Sequence, residues 1–383
     1  MRRFHRLILS AFAVLLLATA PARADDFERG VAAYESGDYQ TAYALFSTAA
    51  LLGRPIAQYN LGYLYEHGLG TAQDDAKAAS WYQRAADQGY ARAQCNLGVM
   101  YQDGRGVTRD YGKAFQWFRE AAAAHRACGE NNLGLLYESG DGGTQDDAEA
   151  VKLFRRAALK GDLRAMANLA RMYRDGRGVQ QDYGQAANWY DRAAQQGFAP
   201  AQYALGQMNA QGLTVSPSMD QARDLYRMAA ERNYAPAQTA LARLYETGQG
   251  AAQDFFQASV WYRKAAEQGD AAGEVGLAAL LAAGKGVDKD PQGAFRWYLK
   301  AARQGAPDAQ LALGKMYAAG EGVPADPVRA QMWLNLAASS SSPPKDAADL
   351  RDESAVALPE SQRLRAEEMA HQCYLGGFTV DCD

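Results

Sequence analysis

Pairs of glycines two residues apart recur along the chain and could form phosphate-binding loops. The first pair ends the segment NLGYLYEHGLG, residues 60–70, and similar segments begin at residues 96 and 132. A phosphate loop places its glycines between a strand and a helix, with a Lys-Ser or Lys-Thr pair at the mouth of the helix. No strand pattern precedes these glycines, and the dipeptide Gly112-Lys113 lies inside a helical pattern. We therefore predict that the glycines end one helix and turn the chain towards the next.

Aspartates also recur and could serve as acid–base groups. One stands at residue 74 and another follows every 36 residues, but Ser218 takes this place in the fifth unit. Serine cannot replace a carboxylate in acid–base chemistry, whereas both side chains accept a hydrogen bond from the first amides of a helix. Pro291 and Pro327 follow the aspartate in two units, and proline is preferred at the first helical position. We interpret these residues as helix caps that contribute about 1 kcal/mol each.

Nucleophiles and metal ligands have no visible partners. Ser342 and Lys345 match the S-x-x-K motif of penicillin-binding enzymes, but they lie in the proline-containing segment SSSSPPK, and no K-T-G or S-D-N motif accompanies them. None of the four histidines has ligand spacing to another histidine or to a cysteine. The sequence therefore predicts no enzyme, no cofactor and no metal site, and a cell-wall-modifying enzyme stays as an alternative.

The first 24 residues differ in composition from the rest of the chain. A basic start, MRRFHR, precedes an apolar stretch from Leu7 to Ala18, and the segment APARA offers a cleavage site after Ala24. This pattern is typical of a secretory signal peptide, so we predict a periplasmic or secreted protein without a membrane span after cleavage. Cleavage changes the formal net charge from −4 to −8, because it removes four arginines. Such a charge makes nucleic acid a poor partner.

Export permits disulfide bonds, and the chain has four cysteines. Two pairings are candidates. Cys373 and Cys382 could close a short loop at the C-terminus, and this pairing is favoured over one between Cys95 and Cys128.

A repeat of 36 residues organises most of the chain. Leucine occupies the same place eight times, from residue 61 to residue 313, and Gly or Ala always follows it. Each repeat contains two apolar patterns of helical period, called helix A and helix B here. Such helix pairs bury their apolar faces only against neighbouring pairs. We expect one large side chain of helix B to fill the gap between helices, so that its loss costs about 3 to 5 kcal/mol. The residues at this position are Trp81, Trp117, Leu153, Trp189, Leu225, Trp261, Trp297 and Trp333.

These positions together resemble the Sel1-like repeat, a relative of the tetratricopeptide repeat. The segment AQCNLGVMYQDGRGVTRDYGKAFQWFREAA shows the pattern almost whole. The resemblance covers eight repeats over residues 57–344. Residues 25–56 resemble a degenerate helix pair with a shortened turn, and residues 345–383 resemble capping helices with a tail. The resemblance implies an all-α fold, namely a right-handed α/α superhelical solenoid, and a non-catalytic protein-interaction scaffold of the bacterial envelope.

One repeated position is not required by the scaffold. The residue before the leucine is asparagine in the first four repeats and Ala or Gly afterwards. Asparagine inside a helix costs about 0.5 to 0.7 kcal/mol relative to alanine. The resemblance implies that A helices line a concave surface on which such asparagines bind peptide groups. The position two after the leucine is apolar in the first three repeats. The predicted peptide-binding residues are Asn60, Asn96, Asn132, Asn168, Tyr63, Val99 and Leu135.

Two questions stay open at this point. Duplication could have copied one asparagine that bonds the neighbouring helix and binds no ligand. The partner, a protein or a peptide, is not identified by the sequence. An exported factor that contacts a host surface is a further alternative to an envelope scaffold.

Overall fold

The computed structural model describes residues 20–214, 216–378 and 382. All twenty regular elements within these residues are α-helices. Within each of the two compact units given below, consecutive helices pair into hairpins and neighbouring hairpins pack together, so the predicted all-α solenoid fold is confirmed. No described helix is both long enough and apolar enough to cross a membrane. Most of the predicted signal peptide, residues 1–19, lies outside the described residues.

The chain forms two compact units, the first ending at Trp189 and the second beginning at Tyr190. Odd-numbered helices from α3 to α17 are the A helices of eight repeats, and even-numbered helices from α4 to α18 are the B helices. The helices in chain order are α1 (Ala20–Glu35), α2 (Tyr39–Leu51), α3 (Pro55–His67), α4 (Asp75–Asp87), α5 (Ala91–Asp103), α6 (Tyr111–Ala123), α7 (Ala127–Ser139), α8 (Asp147–Leu159), α9 (Leu163–Asp175), α10 (Tyr183–Gln195), α11 (Ala199–Ala210), α12 (Met219–Glu231), α13 (Ala235–Thr247), α14 (Phe255–Glu267), α15 (Ala271–Ala283), α16 (Pro291–Ala302), α17 (Pro307–Ala319), α18 (Pro327–Ala338), α19 (Ala347–Ala357) and α20 (Glu360–Leu375).

The paired glycines shape the turn between helices A and B. Gly68 ends α3 in the left-handed region, with φ of 65°. Gly70 has φ of 68°, and a Cβ atom on it would lie 2.1 Å from the backbone oxygen of Tyr39 at the start of α2. Since only a residue without a side chain permits this approach, the glycine pair has a structural role in packing successive repeats.

The recurring aspartates cap the B helices, as predicted. The Asp74 carboxylate accepts a hydrogen bond from the backbone amide of Lys77 at 2.9 Å. In the fifth repeat the Ser218 hydroxyl accepts one from the amide of Gln221 at 3.3 Å. The exchange of carboxylate for hydroxyl leaves the cap intact, because the helix start needs only an acceptor oxygen.

The residue after each B-helix tryptophan fills the core. Tyr82 is 0% exposed, whereas the preceding Trp81 is only half-buried. Tyr82 lies against Gly62 of helix A, where an added Cβ would be 2.8 Å from the ring. The close approach at this glycine directs the second aromatic side chain into the gap. The prediction that the tryptophan position fills the gap is therefore wrong for most repeats, although Leu153 and Trp333 at this position are buried.

Both candidate disulfides are formed in the structure. Cys373 on α20 is bonded to Cys382, and Cys373 packs in the same apolar cluster as Trp333 of the last repeat. In the first unit Cys95 on α5 is bonded to Cys128 on α7. The bond between Cys95 and Cys128 therefore joins two adjacent A helices, which carry part of the predicted asparagine site.

Candidate peptide-binding surface of the first unit

The four predicted asparagines, here called the asparagine row, lie on the A helices α3, α5, α7 and α9. Each is half-buried, and each has a different environment. Asn132 and Asn168 take part in hydrogen bonds within the protein, and the other two members of the row differ from them.

Asn168 and Asn132 share a hydrogen-bonded chain with a third amide that the sequence did not single out. Asn168 Nδ2 donates to Asn131 Oδ1 at 2.9 Å, and Asn131 Nδ2 donates to Asn132 Oδ1 at 3.2 Å. Asn131 is only 3% exposed, so its oxygen depends on this donor. Asn168 therefore bonds the neighbouring A helix, as the alternative interpretation of the asparagine row expects.

Asn96 lies beside two phenols. Burial raises the pKa of Tyr59, and the neighbouring Arg92 charge and the Asn96 amide oppose this rise. Burial and the charge of Glu66 raise the pKa of Tyr82, which the Asn96 amide again opposes. The Tyr82 hydroxyl donates to Glu66 at 2.7 Å. Asn96 thus faces neutral hydroxyl groups of the preceding repeat.

Asn60 has no hydrogen bond from its side chain to another described residue. It lines a cavity of about 300 Å³ that opens between α1, α3 and α5. We call this cavity the Asn60 pocket. Its other lining residues are Val31, Tyr34, Glu35, Phe46, Tyr59, Tyr63 and Arg92.

The walls of the Asn60 pocket are mostly aromatic. The rings of Tyr34 and Tyr63 meet edge to face, with centroids 6.2 Å apart. Burial and the hydrogen bond with Tyr63 raise the pKa of Tyr34 to about 12, so this phenol stays neutral at physiological pH. Arg92 is exposed at the rim and forms no ion pair with another described residue. The pocket therefore combines an available amide and apolar ring surface with one cation, Arg92, and one acid, Glu35.

The remaining predicted residues occupy separate places on the same helices. Tyr63 lines the Asn60 pocket, whereas Val99 packs against the cluster around Phe118. Leu135 lines a different cavity of about 370 Å³. The structure thus brings together Asn60 and Tyr63, and it places the other members of the predicted site outside the pocket.

The sequence reasoning missed a second row of amides, here called the glutamine row. These side chains are buried, and each Nε2 donates to a backbone carbonyl eight residues earlier, at the end of the preceding B helix. Their spacing follows the same 36-residue step, which could have revealed them. The row consists of Gln58, Gln94, Gln202, Gln238 and Gln310.

Glu130 and Glu274 take the glutamine place in two repeats. Glu130 forms ion pairs with Arg156 at 2.7 Å and with Lys160 at 2.6 Å. Glu274 accepts a hydrogen bond from Gln304 at 2.8 Å. These contacts connect successive helices, so the buried acids belong to the scaffold. Among the described residues no group of His, Cys, Asp and Glu is arranged to hold a metal ion.

Comparison with known proteins agrees with this architecture. A sequence profile described as the Sel1 repeat matches nine segments, at residues 27–53, 55–90, 91–125, 129–162, 163–198, 199–234, 235–270, 271–305 and 307–342. The first segment coincides with the helix pair α1 and α2, which the sequence indicated as degenerate.

Two crystal structures are similar over long segments. A protective antigen of uropathogenic Escherichia coli strains, displaying an SLR fold, is 33% identical with a TM-score of 0.55, and the match covers 95% of this chain and 86% of that chain. A Sel1 repeat protein from Oxalobacter formigenes is 32% identical with a TM-score of 0.59, and the match covers 63% of this chain and 96% of that chain.

Proposed function

Because the chain belongs to the Sel1 repeat family, whose members are generally protein-interaction scaffolds, we propose that its first unit binds an extended segment of a partner protein along the A helices. The Asn60 pocket is the anchor of this site. The observation that carries the proposal is the Asn60 amide, which lies in an aromatic pocket without a hydrogen bond to another described residue. An amide donates to and accepts from a peptide group at once.

The Asn60 pocket matches the two kinds of surface that an extended segment presents. Asn60 pairs with a main-chain group, which holds the segment without reading its sequence. The rings of Tyr34, Tyr59 and Tyr63 contact one apolar or aromatic side chain, and aromatic anchors contribute much of the binding energy in protein interfaces. Arg92 at the rim favours an acidic neighbour in the partner.

In this proposal fewer asparagines of the row bind the partner than the sequence predicted. Asn132 and Asn168 already bond Asn131, so they would have to exchange an internal hydrogen bond for one to the partner. That exchange yields little net free energy. Asn60 has no internal hydrogen bond to give up and exchanges only water, so it contributes most, and Asn96 extends the site along α5.

A scaffold role fits better than catalysis, since the Sel1 repeat fold is typically non-catalytic. Ser342 and Lys345 lie in the irregular segment between α18 and α19. No hydrogen bond joins their side chains within the described part of the chain. This placement lacks the helix-opening serine that the S-x-x-K motif needs.

We propose that the protein acts after export, in the periplasm or released from the cell. Two disulfides support this location, because such bonds persist mainly in oxidising compartments. The similar Escherichia coli protein is a protective antigen. That description favours a second candidate function, contact with a host surface, which predicts this protein in culture fluid.

The proposed site is tested by crosslinking followed by affinity measurement. A photo-reactive phenylalanine analogue replaces Tyr63 in intact cells, and the same analogue at Arg119, exposed on α6, serves as the control. The partner segment captured only from position 63 is then synthesised and titrated against purified protein. Asn60→Ala should weaken its binding about five- to tenfold, because one hydrogen bond contributes about 1 to 1.5 kcal/mol.

Asn168→Ala is the matched control, since it removes an amide at the same repeat position whose hydrogen bond is internal. This variant leaves the oxygen of Asn131 without its donor and should lose about 1 to 3 kcal/mol of stability, while the folded fraction keeps its affinity. Unchanged affinity in Asn60→Ala, or a larger loss of affinity in Asn168→Ala, would refute the Asn60 pocket as the anchor.

A further inference from the structure

In the first unit, an arginine on helix A is paired with carboxylates in an ion-pair network. Arg171 on α9 grips the Glu138 carboxylate on α7 with two nitrogens, the longer contact joining Nη2 and Oε2 at 2.6 Å. Arg177 donates to Glu138 Oε1 at 2.6 Å and to Asp147 Oδ1 at 2.7 Å. The Glu138 side chain is 10% exposed. Two carboxylates therefore balance two guanidinium groups here.

The equivalent positions of the second unit, 72 residues later in sequence, keep one of the two arginines and lose both acids. Arg243 corresponds to Arg171, whereas Gln249 stands in place of Arg177. Ala210 stands where Glu138 does, and Met219 where Asp147 does. Arg243 is exposed and lies beside the Tyr262 hydroxyl, where its charge opposes the raised pKa of that phenol. It forms no ion pair with another described residue. The arginine charge that carboxylates balance in the first unit thus has no carboxylate partner in the second.

A cavity of about 370 Å³ occupies this place in the second unit. We call it the Arg243 pocket. Ala210 and Met219 line it together with Tyr203, Tyr226 and Arg243. The Tyr203 and Tyr226 rings lie 5.7 Å apart, and burial raises the pKa of Tyr226 to about 12. Near Arg243 the pocket thus offers uncharged aromatic and apolar surface, with room for about one or two side chains.

One carboxylate, that of Asp270, also lines the Arg243 pocket, and one of its two oxygens is engaged within the protein. Asp270 Oδ2 accepts from the Thr239 hydroxyl at 2.7 Å and from the backbone amide of Gly273 at 2.8 Å. Asp270 caps α15 in this way. The other acid nearby, Glu246, accepts from Tyr262 at 2.6 Å. Neither acid forms an ion pair with Arg243 as Glu138 does with Arg171 in the first unit.

We propose that the Arg243 pocket binds a peptide carboxylate next to an apolar side chain. The ligand carboxylate takes the position relative to Arg243 that the Glu138 carboxylate takes relative to Arg171, and the apolar side chain contacts the tyrosine rings. Charge-assisted pairing with a guanidinium group is among the stronger polar contacts in proteins. This site lies in the other unit from the Asn60 pocket, so it goes beyond the proposed function and can fail independently of it.

Three acetylated tripeptides test the proposal on the mature chain. Acetyl-Leu-Glu-Leu-amide offers a side-chain carboxylate, acetyl-Leu-Gln-Leu with a free C-terminus offers a terminal carboxylate, and acetyl-Leu-Gln-Leu-amide offers neither. Binding is followed by NMR through the arginine Nε–Hε signals. At least one acidic peptide should bind tenfold or more tightly than the neutral peptide, and the tighter one identifies the source of the carboxylate. Equal affinity for all three peptides would overturn the proposal.

Two variants test the role of the Arg243 charge. Arg243→Gln removes the cation. Ala210→Glu introduces the acid that the first unit has, so that an internal carboxylate pairs with Arg243 in place of the ligand. Both should reduce the binding of the acidic peptide to that of the neutral one. Lys315→Gln, at the same repeat position 72 residues later, is the control and should bind like the original protein. The proposal is overturned if Arg243→Gln keeps the tenfold preference, if folded Ala210→Glu keeps it, or if Lys315→Gln loses it. Should Ala210→Glu not fold, Arg243→Gln decides.

Discussion

The disulfide between Cys95 and Cys128 fastens α5 to α7, the helices that carry Asn96 and Asn132. We predict that Cys128→Ser lowers the free energy of unfolding of the first unit by about 2 to 4 kcal/mol. The bond spans a sequence separation of 33 residues, for which the entropy of loop closure alone amounts to about 3.7 kcal/mol at 25 °C. Cys95 is 4% exposed and stays buried as a thiol, so the substitution removes the bond with little other change.

The effect should be local, because each repeat in a solenoid contacts only its neighbours. Urea unfolding gives the size of the loss, and native-state hydrogen exchange should show faster opening of α5 and α7. Cys382→Ser is the matched control. It opens a loop with a separation of 9 residues, worth about 2.6 kcal/mol in the same treatment, and should act on α20. The reasoning is refuted if oxidised and Cys128→Ser proteins unfold at the same urea concentration, or if the protein purified without reductant carries a free thiol at Cys95.

Two further substitutions probe the packing. Gly98→Ala should lower the free energy of unfolding by about 1 to 3 kcal/mol, because its Cβ would lie 2.5 Å from the buried Phe118 ring. Gly112→Ala should raise it by about 0.5 to 1 kcal/mol, because its Cβ meets only Asp110 Oδ1 at 3.3 Å. Equal effects of the two substitutions in urea unfolding would contradict this. Burial raises the pKa of Glu274, so its ionisation opposes folding, and stability is lost as the pH rises from the unfolded pKa through the folded one. Glu274→Gln should therefore raise the melting temperature at pH 7 and not at pH 4, and a gain independent of pH would argue against a buried charge.

The helices and their ends could be predicted from the sequence because the repeat shows each constraint eight times. Gly68 ends a helix and Asp74 begins one for reasons that lie within a few residues of each. The choice between Trp81 and Tyr82 as the core residue could not be predicted in this way. Both lie on the apolar face of α4, and the close approach of Gly62, which decides between them, depends on the packing of two helices.

The candidate site was predictable in part, for a similar reason. The sequence identified the asparagine row by its composition, but not which amides are engaged. That depends on the residue at a different position of the preceding repeat. Asn168 meets Asn131 there, and Asn96 meets Tyr59. Asn60 follows the shortened helix pair α1 and α2, where the 36-residue register of the A helices is broken, and within the described part of the chain it has no such hydrogen-bonding neighbour.

The same reasoning applies to both proposed pockets. In a repeat protein an identical residue in every repeat indicates a contact that the scaffold needs, and the contact partner repeats with it. A polar residue whose partner fails to repeat is left available for a ligand. Arg171 has Glu138 opposite it, whereas Arg243 has Ala210 at that position. We therefore expect function in this solenoid where the register of paired positions is interrupted. An acid introduced at Ala210 restores the pairing, so it should remove the preference of the Arg243 pocket for acidic peptides.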